Sequence, residues 1–235
     1  MQSFAERRIG TLTIALGGFG RRTGSSFQAI QLSAFLKSQG MKVACVELAA
    51  PHHSYKYFVQ SEQKAMNSAG GYAIKGIMYY PNWDTNRLHE VYGAGYQVIV
   101  LDCGNIVEIN SKGDFVQNES TFEFFKADRS IVTTFTTLWD QANFLQLLMA
   151  LRHWGFKKKL HLLASVSSVD SNHDLKEYVK EQKKLNVQYF STAFVEDPFK
   201  LSESSEEAFS ECFMDIIPKA NKEKKLFSLW DRRIK

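Results

Sequence analysis

The chain has 235 residues, 23% charged and 44% hydrophobic, with 4 Pro and 14 Gly. That length buries a sizeable core, and the composition excludes collagen-like, low-complexity and largely disordered classes. The 29 Lys and Arg against 25 Asp and Glu give a net charge of +4. Residues 219–235 hold seven of the cations against Glu223 and Asp231, so they carry +5 and residues 1–218 carry −1. No apolar run reaches the roughly 18–20 residues that span a bilayer, and MQSFAERRIG at the N-terminus has no signal-peptide core. Cys45, Cys103 and Cys212 are scattered, two of them inside apolar runs. Buried reduced thiols are therefore expected, with neither a disulfide framework nor a zinc site, and the expected location is the cytoplasm.

Apolar runs alternate with helical patterns along the chain. Thr11–Gly17 is a short strand ending in glycines, and Ser26–Ser38 carries a broad helical stripe that Gly40 terminates. Lys42–Leu48, Ile74–Tyr80 and Gln97–Leu101 read as the next strands, and the polar stretch 104–121 as a surface loop with a helix start. Ser130–Phe135, Leu160–Val166 and the weaker Val187–Phe190 follow, with helical patterns near 138–154, 172–185 and 203–217. This order predicts an α/β fold, a mostly parallel central sheet with helices on both faces in three αβα layers. No internal repeat or Gly/Ser/Pro-rich linker divides residues 1–221, and 222–235 reads as a separate basic tail.

Leu16–Ser26, LGGFGRRTGSS, lies between the first strand and the first helix. A turn of this kind offers successive backbone N–H groups and a helix N-terminus to an anion. Gly18, Gly20, Thr23, Gly24, Ser25 and Ser26 would cradle phosphate, with the Arg21 and Arg22 guanidinium groups on its oxygens and the Ser26 hydroxyl in reach of Mg²⁺. Two templates compete. Gly24-Ser25-Ser26 occupies the Gly-Lys-Ser/Thr corner of a P-loop, whereas Gly18 to Thr23 approximates G-x-G-x-x-G, with Glu47 placed to bind a ribose. The second template would make the chain an NAD(P)-binding oxidoreductase.

Tyr96–Gly104, YQVIVLDCG, is an apolar strand ending in Asp102, the pattern of a Walker B strand whose carboxylate supports Mg²⁺. With the glycine turn, KVACVELA, ADRSIVTTFTTLWDQANFLQLLMAL and FSTAFVEDPF, the order resembles the ParA/MinD family of deviant-Walker P-loop ATPases across most of the body. The likeness is to its degenerate, TadZ-like members associated with bacterial secretion, pilus or conjugation systems. The resemblance implies ATP or ADP with Mg²⁺ held by Ser26 and Asp102, the adenine near Asp197 and Pro198, and a homodimer around nucleotide. Departures bear on activity. The P-loop lysine position is Ser25, the family's signature lysine falls on Gly20, five residues separate Gly18 from Gly24 where the motif has four, and Ala49 replaces the water-orienting Asp. Each removes a positioning or charge-stabilising group, so the expectation is nucleotide binding with little or no hydrolysis and no assigned catalytic residue. An active ATPase with Arg21 or Arg22 in place of lysine stays open as an alternative.

His52-His53 and the Asp170, His173, Asp174 group read as loop and capping residues. Cys103 beside Asp102 reads as a buried thiol. In the tail, Leu226, Phe227, Leu229 and Trp230 form an apolar stripe flanked by Lys224, Lys225, Arg232 and Arg233. Such a segment suits the interface of an anionic membrane, or docks on its own core. It is similar in character and position to the membrane-targeting helix of MinD proteins, which implies a peripheral site at the inner face of the cell membrane. A near-neutral body argues against nucleic acid as the partner.

Overall fold

A computed structural model describes residues 10–19, 23–48, 55, 66, 70–135, 137–166, 177, 179, 186–193 and 195–217. Leu12–Gly18 (β1) is the middle of its sheet, flanked by Val98–Asn105 (β5) and Arg129–Phe135 (β8). On the β5 side lie Val43–Glu47 (β2), Ile77–Tyr80 (β4) and Tyr72–Ile74 (β3); on the β8 side lie Leu160–Val166 (β9) and Val187–Ala193 (β10). The order is β10-β9-β8-β1-β5-β2-β4-β3, and every pairing is parallel except β3 with β4. A parallel sheet must be covered on both faces, and its strands here are correspondingly apolar and buried.

Ser25–Ser38 (α1) and Glu203–Cys212 (α5) cover one face, where Ile14, Leu16, Phe35, Val100 and Phe209 form a common core. Leu88–Gly93 (α2), Glu119–Lys126 (α3) and Leu138–His153 (α4) cover the other, packed through Leu88, Val91, Phe124, Phe144 and Leu147. The three-layer α/β expectation therefore holds. Buried polar residues on α1 also have structural partners. Gln28 Nε2 donates to Ser165 Oγ (2.8 Å) and Thr192 Oγ1 (2.7 Å), Gln31 Nε2 to the Lys200 carbonyl (3.1 Å), and Ser33 Oγ to the Ala29 carbonyl (2.7 Å).

Local chemistry corrects three boundaries. The expected single strand Ile74–Tyr80 is a β3–β4 hairpin, because Lys75 (φ 49°) and Gly76 (φ 77°) both turn left-handed, as a two-residue primed turn requires. The expected loop 104–121 contains a short antiparallel ribbon, Glu108–Ile109 (β6) with Phe115–Val116 (β7). It then enters α3 through a reciprocal cap between Asn118 and Thr121. The pattern at 203–217 stays helical only to Cys212. The 172–185 pattern falls almost wholly outside the described residues, as does the whole of the 222–235 tail.

Candidate functional site

In an open parallel sheet, ligands bind beyond the carboxyl ends of the strands, where the strand order reverses. Here the chain runs from β1 outward to β2 and β4, returns to β5, and continues through β8 on the opposite side. The glycine turn leaves β1 at that point. Gly18 abuts Thr23, leaving no room for a Cβ, and Gly24 caps α1 in the left-handed conformation (φ 83°, ψ 9°). The Gly24 carbonyl accepts the Gln28 N–H at 2.9 Å, the first bond of α1. Amides ahead of that bond have no intrahelical acceptor, so the helix end carries partial positive charge. Ser25 and Thr23 are buried there, and Ser26 is half-buried. Gly20, Arg21 and Arg22 lie outside the described residues.

Asp102 stands opposite this helix end, near the end of β5 and paired in register with Leu16 and Glu47. It is fully buried. Its Oδ1 accepts the Gly104 N–H at 3.1 Å, whereas Oδ2 has no hydrogen-bond partner. Burial raises its pKa above the usual carboxylate value, partly opposed by Ser26, the Gly104 N–H, Ser25 and Tyr55. A buried carboxylate oxygen without a partner, facing hydroxyls and a helix N-terminus, fits a hard divalent cation. Ser26 and Asp102, the expected metal pair, are neighbours at this helix end.

Glu47 has a different task from the ribose-binding one that the dinucleotide template gave it. Its carboxylate is fully buried and accepts the Tyr55 N–H (3.2 Å) and the Asn82 N–H (3.1 Å), while its carbonyl accepts the Trp83 N–H (2.7 Å). It anchors the segments after β2 and β4, and is not offered to a sugar. Tyr55 is the residue that sequence reasoning missed. Its ring packs edge-on against Tyr79 (5.8 Å) and its hydroxyl lies 3.1 Å from Cys45 Sγ, beneath the Asp102 carboxyl. No spacing signal marks it, because the contact depends wholly on tertiary packing.

Other expected residues have contacts of their own. Asp197 and Pro198 lie in a half-buried turn where Asp197 Oδ1 accepts the Phe199 N–H at 2.9 Å. That turn is held to α1 by Gln31 and to Tyr79 by Phe199, and none of its described hydrogen bonds reaches the glycine turn. The cysteines are all free and buried. Burial pushes the Cys45 and Cys212 thiols up to about 12 and Cys103 well above its ordinary value, so none is a thiolate nucleophile near neutral pH. Ala49, His52, His53, Asp170, His173 and Asp174 fall outside the described residues. Among the described residues no group of three His, Cys, Asp or Glu side chains is arranged to hold a metal, and no helix is long and apolar enough to cross a membrane.

The fold is that of a P-loop NTPase-like, three-layer α/β protein. Solved structures of the ParA/MinD type share this architecture. The septum site-determining protein MinD of Pyrococcus horikoshii, complexed with Mg-ADP, matches with a TM-score of 0.59 and 16% identity, over 89% of this chain and 97% of that one. A putative plasmid partition protein from Borrelia burgdorferi, bound to AMPPNP, matches at 0.58 and 14%, over 87% and 98%. Cobyrinic acid a,c-diamide synthase from Mycobacterium smegmatis, with ADP and magnesium, matches at 0.57 and 15%, over 86% and 92%. No protein-family model matches the chain, and no curated protein does. At these identities the likeness establishes the fold.

Proposed function

We propose that the chain binds ATP or ADP with Mg²⁺ at the β1–α1 turn and serves as a nucleotide-dependent localisation or assembly module with little or no ATP hydrolysis. The observation that carries this reading is the buried Asp102 Oδ2, unpartnered beside the N-terminus of α1. A bound Mg²⁺ would supply positive charge for phosphate oxygens, with Ser26 and Asp102 as its protein ligands. Gly18, Thr23, Gly24 and Ser25 bring backbone close to the phosphates, and Arg21 and Arg22 add cationic hydrogen bonding. The expectation of little or no hydrolysis rests on three positions. Ser25 stands at the lysine corner, Ala49 at the water-orienting position, and Glu47 is engaged by two backbone N–H groups.

Support for the biological role comes from the neighbours, whose names concern plasmid partition and septum-site determination. On the departures at Gly20, Ser25 and Ala49, we read the chain as a degenerate, TadZ-like member of the ParA/MinD group. It would dimerise around nucleotide and act at the inner face of the cell membrane with a secretion-, pilus- or conjugation-type partner. Residues 222–235 are the proposed membrane anchor. Phosphate-release kinetics with saturating ATP and Mg²⁺ test the non-hydrolysing reading. The expected result is no turnover above background. Turnover that Asp102→Ala abolishes would instead establish an active ATPase.

A further inference from the structure

The glycine turn is anchored at both ends, by different chemistry. On entry, the Gly18 carbonyl accepts the Ile106 N–H at 3.1 Å, just beyond β5. On exit, the anchor is the side chain of Gln28, which is fully buried. Its backbone N–H closes the first turn of α1 on the Gly24 carbonyl. Helix side chains lean towards the N-terminus, so the Gln28 amide lies beneath the residues that open the helix. There Nε2 donates to Ser165 Oγ (2.8 Å) and to Thr192 Oγ1 (2.7 Å), two hydroxyls that are themselves buried. Ser165 and Thr192 pair in register near the ends of β9 and β10, and Ser165 pairs with Phe135 at the end of β8. The same residues floor the turn. A Cβ placed on Gly24 would lie 3.6 Å from the Phe135 ring and 3.7 Å from Ser165 Oγ.

Two features set Gln28 apart from a packing residue. Its helix meets the sheet through an apolar core that includes Ile14, Leu16, Ala29 and Leu32. Gln28 Oε1 is buried with no hydrogen-bond partner. A polar network with one buried acceptor unpaired is no more stable than apolar groups of the same shape. What the amide supplies, and methylenes cannot, is direction. Two hydrogen bonds set the height and rotation of the first helical turn over the strand ends. That setting aims the amides of Ser25 and Ser26, which precede the first intrahelical bond.

We propose that Gln28 is a positioning residue for phosphate binding at the β1–α1 turn, acting through Ser165 and Thr192. The inference rests on the nucleotide reading of that turn and adds how the fold aims it. Sealed inside the protein, Gln28 does not touch a phosphate; it holds the backbone that does.

Titration calorimetry with Mg-ATP and, separately, with Mg-pyrophosphate tests this, with the Tm of each protein measured alongside. Pyrophosphate reads the phosphate end of the site without the nucleoside. Gln28→Met, Ser165→Ala and Thr192→Val made together exchange the whole network for apolar groups of similar shape, which is close to neutral for stability. This triple variant should keep its Tm within about 4 °C of the wild type. It should bind both ligands about tenfold more weakly, as the loss of one ordinary hydrogen bond would give. Thr192→Ser, which keeps the hydroxyl, should bind as the wild type does. Ser165→Ala alone should show the same loss in smaller measure, and it decides the matter if the triple variant does not fold. Wild-type affinity in the triple variant overturns the positioning role and leaves the nucleotide reading standing. A lowered Tm with affinity intact makes Gln28 a structural brace and overturns the role equally. A wild-type chain that binds neither ligand overturns the nucleotide reading, and this inference falls with it.

Discussion

Ionisation of Asp102 is opposed by burial, which outweighs the help of Ser26, the Gly104 N–H, Ser25 and Tyr55. Its folded-state pKa exceeds that of the unfolded chain, so the folded protein holds this proton more tightly. The contribution therefore favours folding at acid pH and is lost as pH rises through the folded-state value. Asp102→Asn removes the buried charge and should raise the Tm of the ligand-free protein by about 2–4 °C, the shift expected of roughly 1 kcal/mol in a domain of this size. Differential scanning fluorimetry at pH 7.5 checks it, and an unchanged or lowered Tm would contradict the uncompensated charge. His161 works in the opposite sense. Stacked on Phe190 with Nδ1 unpartnered, it is held down to about 4, first by burial and then by Arg129 and Lys159. Its stabilising contribution is present above the ordinary value near 6.5 and is lost as pH falls towards 4. Urea midpoints should therefore fall between pH 7 and pH 5 in the wild type, and fall less in His161→Leu.

At the scale of elements, the turn into α1 depends on a left-handed residue at Gly24, which a side chain strains. Gly24→Ala should destabilise the fold by about 1 kcal/mol in urea unfolding and also weaken nucleotide binding, since the same backbone would face the phosphates. Asn118→Ala removes the cap of α3 and the bond from Asn118 Nδ2 to the Asn105 carbonyl (2.9 Å). It should cost about 1–2 kcal/mol while leaving nucleotide affinity unaltered. These elements differ in how legible they are. Continuous apolar runs such as Gln97–Leu101 and Leu160–Val166 announce strands buried on both faces, and the alternation with helices implies the parallel sheet. The β3–β4 hairpin does not announce itself, because Lys75 gives no sign that it will adopt φ 49°. The carboxylate of Asp102 is visible as a strand-terminal acid. That its Oδ2 is orphaned, that Glu47 is sequestered by Tyr55 and Asn82, and that Tyr55 sits beneath the site all depend on contacts between distant segments.

For the whole molecule, the three layers bring the glycine turn and Asp102 together beyond the carboxyl ends of the central strands. A ligand that binds only the folded state must stabilise the entire domain. ATP with Mg²⁺ at one hundred times its Kd should add about 2.7 kcal/mol, visible as a Tm rise of several degrees. NADPH at the same concentration should leave the Tm unmoved.

Isothermal titration of ATP into the wild-type chain and Asp102→Asn, each with Mg²⁺ and with chelator, measures the central claim most directly. The account predicts saturable, Mg²⁺-dependent binding to the wild type that is lost in Asp102→Asn, with no heat from NADPH. Equal ATP affinity in the two proteins, or binding of NADPH with none of ATP or ADP, would contradict it.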